Sequence, residues 1–244
     1  MSNDYFRFKR FSINQSATAM KVGTDGVLLG AWTRVCQQQK RYLDVGTGTG
    51  LIALMIAQRS EENGGIIDAV EIDQNSARQA TQNVQSSDWG DRINIYHSSL
   101  QDFAASCEKE GYDHIISNPP YFVDSMLPPD TARATARHAG KLPYAELAVS
   151  ASVLLKEKGL LTVILPADGH KAFVGTAGHY GLNLLRVMLV RPLPDAEPKR
   201  VLMEFVKSSP VEEPLYEELV IQTGGPDSYT GRYKELTRDF YIRF

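Results

Sequence analysis

The sequence predicts an α/β fold: a doubly wound, mostly parallel sheet of seven strands with an antiparallel strand at its edge. Three observations carry this. Short apolar runs alternate with helix-length segments from Tyr42 onward. These runs are mostly continuous in Ile, Val and Leu, the pattern of strands buried on both faces. A glycine loop, Gly46-Thr-Gly-Thr-Gly50, stands where the first of them gives way to a helical segment.

Tyr42–Val45, Ile66–Ile72, Ile93–Tyr96, Tyr112–Ser117 and Leu160–Leu165 read as strands because they are rich in Ile, Val and Leu. Leu51–Arg59, Ser76–Ser86 and Tyr144–Leu155 lie between them and read as helices. After Leu165 the rhythm changes. Asp168–Ala177 reads as a helix. Leu184–Val190 and Val201–Val206 read as neighbouring antiparallel strands joined by the proline-rich stretch Arg191–Arg200. A strand at Leu219–Gln222 and a helix at Tyr229–Tyr241 close the chain. At 244 residues this makes one domain: an N-terminal segment 1–40, a core 41–207 and a C-terminal extension 208–244.

Composition narrows the function classes. An apolar share of 43% and a charged share of 23% belong to an ordinary soluble protein. With net charge −3, bulk charge announces no nucleic-acid partner, so any such binding rests on a local basic face. Cys36 and Cys107 suggest no disulfide framework, and the histidines form no HxxxH pair, so no metal is expected. No apolar run reaches the ~18 residues of a membrane span, and Met1–Arg7 has no apolar signal core. A cytoplasmic protein is expected, and a monomer.

Gly46, Gly48 and Gly50 allow a sharp turn and close approach of backbone to a ligand, and the helix beginning near Leu51 aims free N–H groups at that loop. Thr47 lies within the loop and Asp44 precedes it. A strand ends at Glu71 about twenty residues beyond the loop, where a carboxylate can accept hydrogen bonds from both ribose hydroxyls of an adenosine. Ile72 can lie against the adenine face, and the stretch around Ser99 and Leu100 can reach the adenine amine. The site then spans the carboxyl ends of the strands, at the switch point of the sheet. NAD is the alternative ligand; GxGxG in place of GxGxxG, together with Asp44, counts against it.

Asn118-Pro119-Pro120-Tyr121 ends the strand Tyr112–Ser117. Two prolines stiffen the backbone and restrict the residue before each. The Asn118 side-chain carbonyl and the Pro119 main-chain carbonyl can each accept a hydrogen from one NH₂ group. That draws the hydrogens of an exocyclic amine out of the ring plane and exposes its lone pair. Tyr121 or Phe122 can stack on the base. Catalysis of this kind is orientation and charge placement, with no metal and no covalent intermediate.

On these motifs the chain resembles the class I S-adenosylmethionine-dependent methyltransferases with an NPPY loop, which methylate amino nitrogens. Met20–Trp32, Gly225–Thr230 and Asp239-Phe-Tyr241 resemble, more narrowly, the tRNA1(Val) adenine-N6 methyltransferase family, which modifies the adenine at tRNA position 37. The resemblance runs roughly from Phe6 to Phe244 and implies S-adenosylmethionine as cofactor and tRNA as partner. It also implies that the segment before the first core strand closes over the cofactor, which brings Lys21, Val22, Thr24 and Asp25 to the pocket. The pattern departs at Ser99, where the family often has an acidic residue.

Three basic patches could grip RNA phosphates. Arg133, Arg137, His138 and Lys141 follow the NPPY loop and are preferred; Leu127–Ala139, which overlaps them, reads as a mobile lid. Lys199 and Arg200 end the proline-rich loop. Arg7, Lys9 and Arg10 alternate with aromatics near the N-terminus, where a half-buried strand is an equal reading. Rival functions are a protein glutamine-N5 methyltransferase, a DNA adenine methyltransferase and a non-catalytic cofactor- or RNA-binding protein. About forty residues before the glycine loop are too few for the helical domain of the first, little room remains for the recognition region of the second, and the intact NPPY disfavours the third.

Overall fold

The structure, a computed structural model, describes residues 4–18, 21–35, 38, 40–119, 143–208, 210–225 and 227–244. Eight strands form one sheet: β3 (Arg41–Val45), β4 (Ile66–Glu71), β5 (Ile93–His97), β6 (Tyr112–Ser117), β7 (Leu155–Pro166), β8 (Leu182–Arg191), β9 (Arg200–Lys207) and β10 (Leu215–Val220). Their spatial order is β10-β8-β9-β7-β6-β3-β4-β5. All run parallel except β9, which is antiparallel to both β7 and β8. The seven expected sheet strands are therefore present, and the strand expected at Leu219–Gln222 forms four residues earlier, as β10, and joins the same sheet as its eighth. The antiparallel strand lies inside the sheet rather than at its edge, because β9 is inserted between β7 and β8 and pairs with both. Two further short strands, β1 (Tyr5–Arg7) and β2 (Ser12–Asn14), form a separate antiparallel hairpin.

Helices cover both faces. Helices α1 (Thr24–Trp32), α2 (Leu51–Arg59) and α3 (Gln74–Gln85) share one apolar core with the hairpin and with α7 (Gly231–Thr237). Helices α4 (Leu100–Ser106), α5 (Tyr144–Leu154) and α6 (His170–His179) share a second core on the opposite face. Burial on both sides is the physical reason why β9 is buried from Val201 to Val206 and is apolar there at every position but Glu204. Leu51–Ala57 of α2 is also buried throughout, because α1 lies across the side turned away from the sheet.

Helix α1 is not among the expected helices; it carries Gly26 and Gly30, poor helix formers. Spaced four apart, they lie on one face of the helix. A Cβ on Gly26 would meet Leu51 Cδ2 at 3.0 Å, and one on Gly30 would meet Met55 Sδ at 2.6 Å. The glycines thus let α1 and α2 approach closely. β7 begins five residues before the expected Leu160, its polar start Lys156-Glu-Lys158 being exposed and carrying no apolar signal.

A buried charge cluster joins α1 to the sheet. Glu204 is fully buried on β9. It accepts from Arg186 Nε at 3.0 Å and pairs with Arg34 Nε at 3.1 Å. Arg186 also donates to the Trp32 carbonyl at 2.9 Å and stacks over the Trp32 ring at 3.7 Å. Glu204→Ala leaves the Arg186 guanidinium buried without its carboxylate and is expected to cost ~3–5 kcal/mol. Arg34→Ala, which removes a side chain that is 47% exposed, is expected to cost under ~1 kcal/mol. Chemical denaturation of both variants checks the contrast.

Candidate cofactor and methyl-transfer site

The carboxyl ends of β3, β4, β5 and β6 form one rim of the sheet, and every core motif lies along it. Register fixes the neighbours. Val45 is paired with both Val70 and Ser117, so the glycine loop that starts at Gly46 stands between Glu71 on one side and Asn118 on the other. The Ser117 hydroxyl, fully buried, donates to the Val45 carbonyl at 2.9 Å and fastens the strand ends together just before Asn118.

The loop is built around Asp44. One carboxylate oxygen, Oδ2, accepts from the Thr47 hydroxyl at 2.6 Å and from the Ala53 N–H at 3.1 Å. A single side chain therefore holds both the turn and the first turn of α2. Gly46, Gly48 and Gly50 all adopt positive φ (71°, 57° and 83°), which only glycine does without strain. A Cβ on Gly46 or Gly48 would meet nothing within 4 Å, so their backbone borders open space. Gly50 caps α2 without a side-chain bond, which leaves N–H groups of its first turn to serve a ligand.

Glu71 does more than the sequence suggested. Its Oε2 accepts from the Gly48 N–H at 2.8 Å and its Oε1 from the Asp73 N–H at 2.9 Å. The carboxylate is an anchor of the loop, and each oxygen keeps a lone pair that can accept a ribose hydroxyl. Ile72 beside it is 50% exposed, unusual for an isoleucine at a strand end and suited to an adenine face. Ser99 is the N-cap of α4: its hydroxyl donates to Asp102 Oδ2 at 2.7 Å and accepts from the Asp102 N–H at 3.1 Å. With its hydrogen committed to Asp102, Ser99 retains only acceptor capacity, the kind an adenine amine requires. Leu100 is the first residue of α4 and follows directly.

These features fit an adenosyl cofactor. The open space beside Gly46 and Gly48 and the spare lone pairs of Glu71 are two of them. The third is Asp44 Oδ1, buried with no hydrogen-bond partner among the described residues.

The methyltransferase small domain family matches residues 16–165. The tRNA1(Val) (adenine(37)-N6)-methyltransferases of Bacteroides fragilis and Trichodesmium erythraeum are each 44% identical to this chain, with all of each sequence covered. That of Flavobacterium johnsoniae is 41% identical over 98% of this chain and 99% of its own. The chain belongs to this family. Its fold is also that of a predicted O-methyltransferase from Agrobacterium tumefaciens, with a TM-score of 0.71 at 20% identity over 88% of this chain and 96% of that one. Geranyl diphosphate methyltransferase, solved with geranyl diphosphate and sinefungin, superposes with a TM-score of 0.55 at 14% identity over 74% and 75%. As in its family, the methyl donor is S-adenosylmethionine.

The segment that the family resemblance sends to the pocket is held at two points. Asp25, in the first turn of α1, accepts from Arg200 Nε at 2.7 Å, at the start of β9. Thr24 begins α1 and Lys21 precedes it, exposed. On the other side, Gln79 and Asn83 of α3 bond to residues 14–17. Neither α3 residue was singled out from the sequence. The available signal was their place on the buried stripe of α3 with Ser76, Ala77, Ala80 and Val84, where a polar side chain needs a partner.

Pro119 is buried and Asn118 half-buried. Tyr121, the preferred basic patch Arg133, Arg137, His138 and Lys141, and the lid Leu127–Ala139 lie outside the described residues. Lys199 is exposed. Near the N-terminus Tyr5–Arg7 forms a short strand, and Phe8–Phe11 makes the connection to β2. Phe8 and Phe11 are buried and stacked, Arg10 is paired with Glu61 at 2.6 Å over the Trp89 ring, and Lys9 donates to the carbonyls of Arg238 and Phe244. Among the described residues no cluster of His, Cys, Asp and Glu could hold a metal, and no helix is long and apolar enough to cross a membrane.

Burial pushes the Asp44 carboxyl up to about 7, with the nearby Glu71 charge acting in the same direction and the bonds from Thr47 and Ala53 opposing it. The folded protein thus holds a proton there that the unfolded chain, titrating near ~3.9, releases. The resulting stability is fully present below ~3.9 and is lost as pH rises through 7. Asp44→Asn is expected to flatten the fall in unfolding free energy between about pH 4 and pH 7, a term on the order of 4 kcal/mol. Denaturation at a series of pH values checks it. Glu71→Ala removes the loop anchor and the ribose acceptor together and is expected to weaken S-adenosylmethionine binding by ~1–3 kcal/mol. Unchanged affinity by calorimetric titration would displace the ribose from Glu71.

Proposed function

We propose that this protein transfers the methyl group of S-adenosylmethionine to the N6 amine of adenine 37 in tRNA1(Val). The carrying observation is end-to-end similarity, at 41–44% identity, to enzymes named for that reaction. The geometry supports it: a cofactor loop and an Asn-Pro stretch occupy neighbouring strand ends.

The bound cofactor supplies an electrophilic methyl on a sulfonium. Asp44, Gly46, Thr47, Gly48 and Gly50 cradle it. Glu71 receives the ribose, while Ile72, Ser99 and Leu100 surround the adenine. Lys21, Thr24 and Asp25 close the pocket from the N-terminal segment, so that residues 1–40 act as a cap, 41–207 as the core and 208–244 as an extension. The Asn118 side-chain oxygen and the Pro119 carbonyl accept the two hydrogens of the target amine and aim its lone pair at the methyl. Tyr121 stacks on the flipped adenine. The chemistry needs only orientation and placed dipoles, and the surplus proton leaves through those acceptors to solvent. An anticodon-loop base is the substrate easiest to splay into such a pocket. Arg133, Arg137, Lys141, Lys199 and Arg200 contact its phosphates. We place the enzyme in the cytoplasm, working as a monomer.

Incubation with bulk tRNA and labelled S-adenosylmethionine, followed by digestion to nucleosides, is expected to yield N6-methyladenosine. Asn118→Ala is expected to lower the rate by ~100-fold or more while cofactor affinity holds, as for a polar group that acts in the transition state. Near-normal turnover in that variant would refute the mechanism, and label in protein glutamine in place of tRNA would refute the substrate.

A further inference from the structure

Asn83 is 4% exposed in the last turn of α3, next to Val84 and within the helix's buried stripe. Its amide is fully used. Oδ1 accepts from the Asn14 N–H at 2.9 Å, and Nδ2 donates to the Asn14 carbonyl and to the Thr49 carbonyl, each at 2.9 Å. The two destinations belong to different parts of the site. Thr49 is the residue before Gly50 in the glycine loop. Asn14 is the last residue of β2, from which the chain runs on to Lys21 and the start of α1. That start lies beside the head of α2, where Gly26 leaves 3.0 Å between its Cβ position and Leu51 Cδ2. Further along, the Val22 N–H donates to Gln15 Oε1 at 2.8 Å.

We propose that Asn83 is a positioning residue for the cofactor: it joins the glycine loop and the segment before α1 into one unit, so that ordering either one orders the other. This rests on the reading that the loop holds S-adenosylmethionine. Asn83 has no donor left to offer a ligand, since both N–H groups are committed to backbone, and its carbonyl is bonded to Asn14 in a side chain only 4% exposed. Its effect on affinity passes through the two segments it holds. Gln79, one turn earlier, provides the comparison. Among the described residues it bonds to Ser16 and Ala17 on the segment and to Gln82 on its own helix, and not to the loop.

The test pairs calorimetric titration of S-adenosylmethionine with hydrogen exchange. In the wild-type protein, cofactor is expected to slow exchange in residues 46–54 and 14–18 with one shared midpoint. Asn83→Ala, assayed well below its melting temperature, is expected to bind about 5- to 30-fold more weakly, as for one or two lost bonds between buried groups. It is also expected to keep protection at 46–54 and lose it at 14–18. Gln79→Ala is expected to stay within about twofold of wild type, because the loop retains its anchor. A folded Asn83→Ala protein with wild-type affinity overturns the proposal, and so does wild-type protection confined to the loop. Should Asn83→Ala not fold, Asn83→Asp keeps the shape and the acceptor for Asn14 but turns a carboxylate toward two carbonyls, and it carries the same expectation. A wild-type protein that binds no cofactor ends the functional reading itself, a result distinct from binding that ignores Asn83.

Discussion

One buried carboxylate oxygen sets the geometry of the cofactor half of the site. Asp44 Oδ2 takes a hydroxyl from the turn and an N–H from the head of α2, so the strand, the turn and the helix meet at one acceptor. A turn this tight needs three residues at positive φ, and only glycines supply them cheaply. The cost is a loop with high intrinsic freedom. It is offset by anchors on either side: the Val70 carbonyl takes the N–H groups of Gly46 and Thr47, Glu71 takes that of Gly48, and Asn83 holds the Thr49 carbonyl. A loop bound at consecutive residues is preorganised, and binding then pays little to order it.

The same economy explains what was legible in the sequence. Elements whose cause is local could be read: α2 runs over Leu51–Arg59 as expected because Gly50 marks its start, and β6 runs over Tyr112–Ser117 because a proline pair follows it. Elements whose cause is a distant partner could not. Helix α1 depends on two glycines that make sense only against Leu51 and Met55. The start of β7 depends on pairing with β6 across a bulge. The site divides in the same way. Glycines, Glu71 and the Asn-Pro pair announce themselves by spacing, whereas Asn83 looks like one more polar residue in the helix Gln74–Gln85. The loop-anchoring bond of Glu71 was equally invisible, because it joins residues 23 apart in sequence.

The two halves of the site rest on different kinds of support. The cofactor half stands on the strand ends and is fixed by backbone bonds. The substrate half begins at Asn118, whose placement comes from the preceding strand: Ser117 is buried and bonded to Val45, and Pro119 is buried behind it. An asparagine between those two has little freedom, which suits a group that must meet an amine at a fixed angle.

Arg200 ties the N-terminal segment to the rim of the sheet. It reaches Asp25, 32% and 25% exposed respectively, in an ion pair of the kind worth ~0–1 kcal/mol. That is enough to bias the first turn of α1 toward the start of β9. A chain of net charge −3 cannot draw RNA from a distance by its overall field. Any hold on RNA must therefore come from cations placed locally.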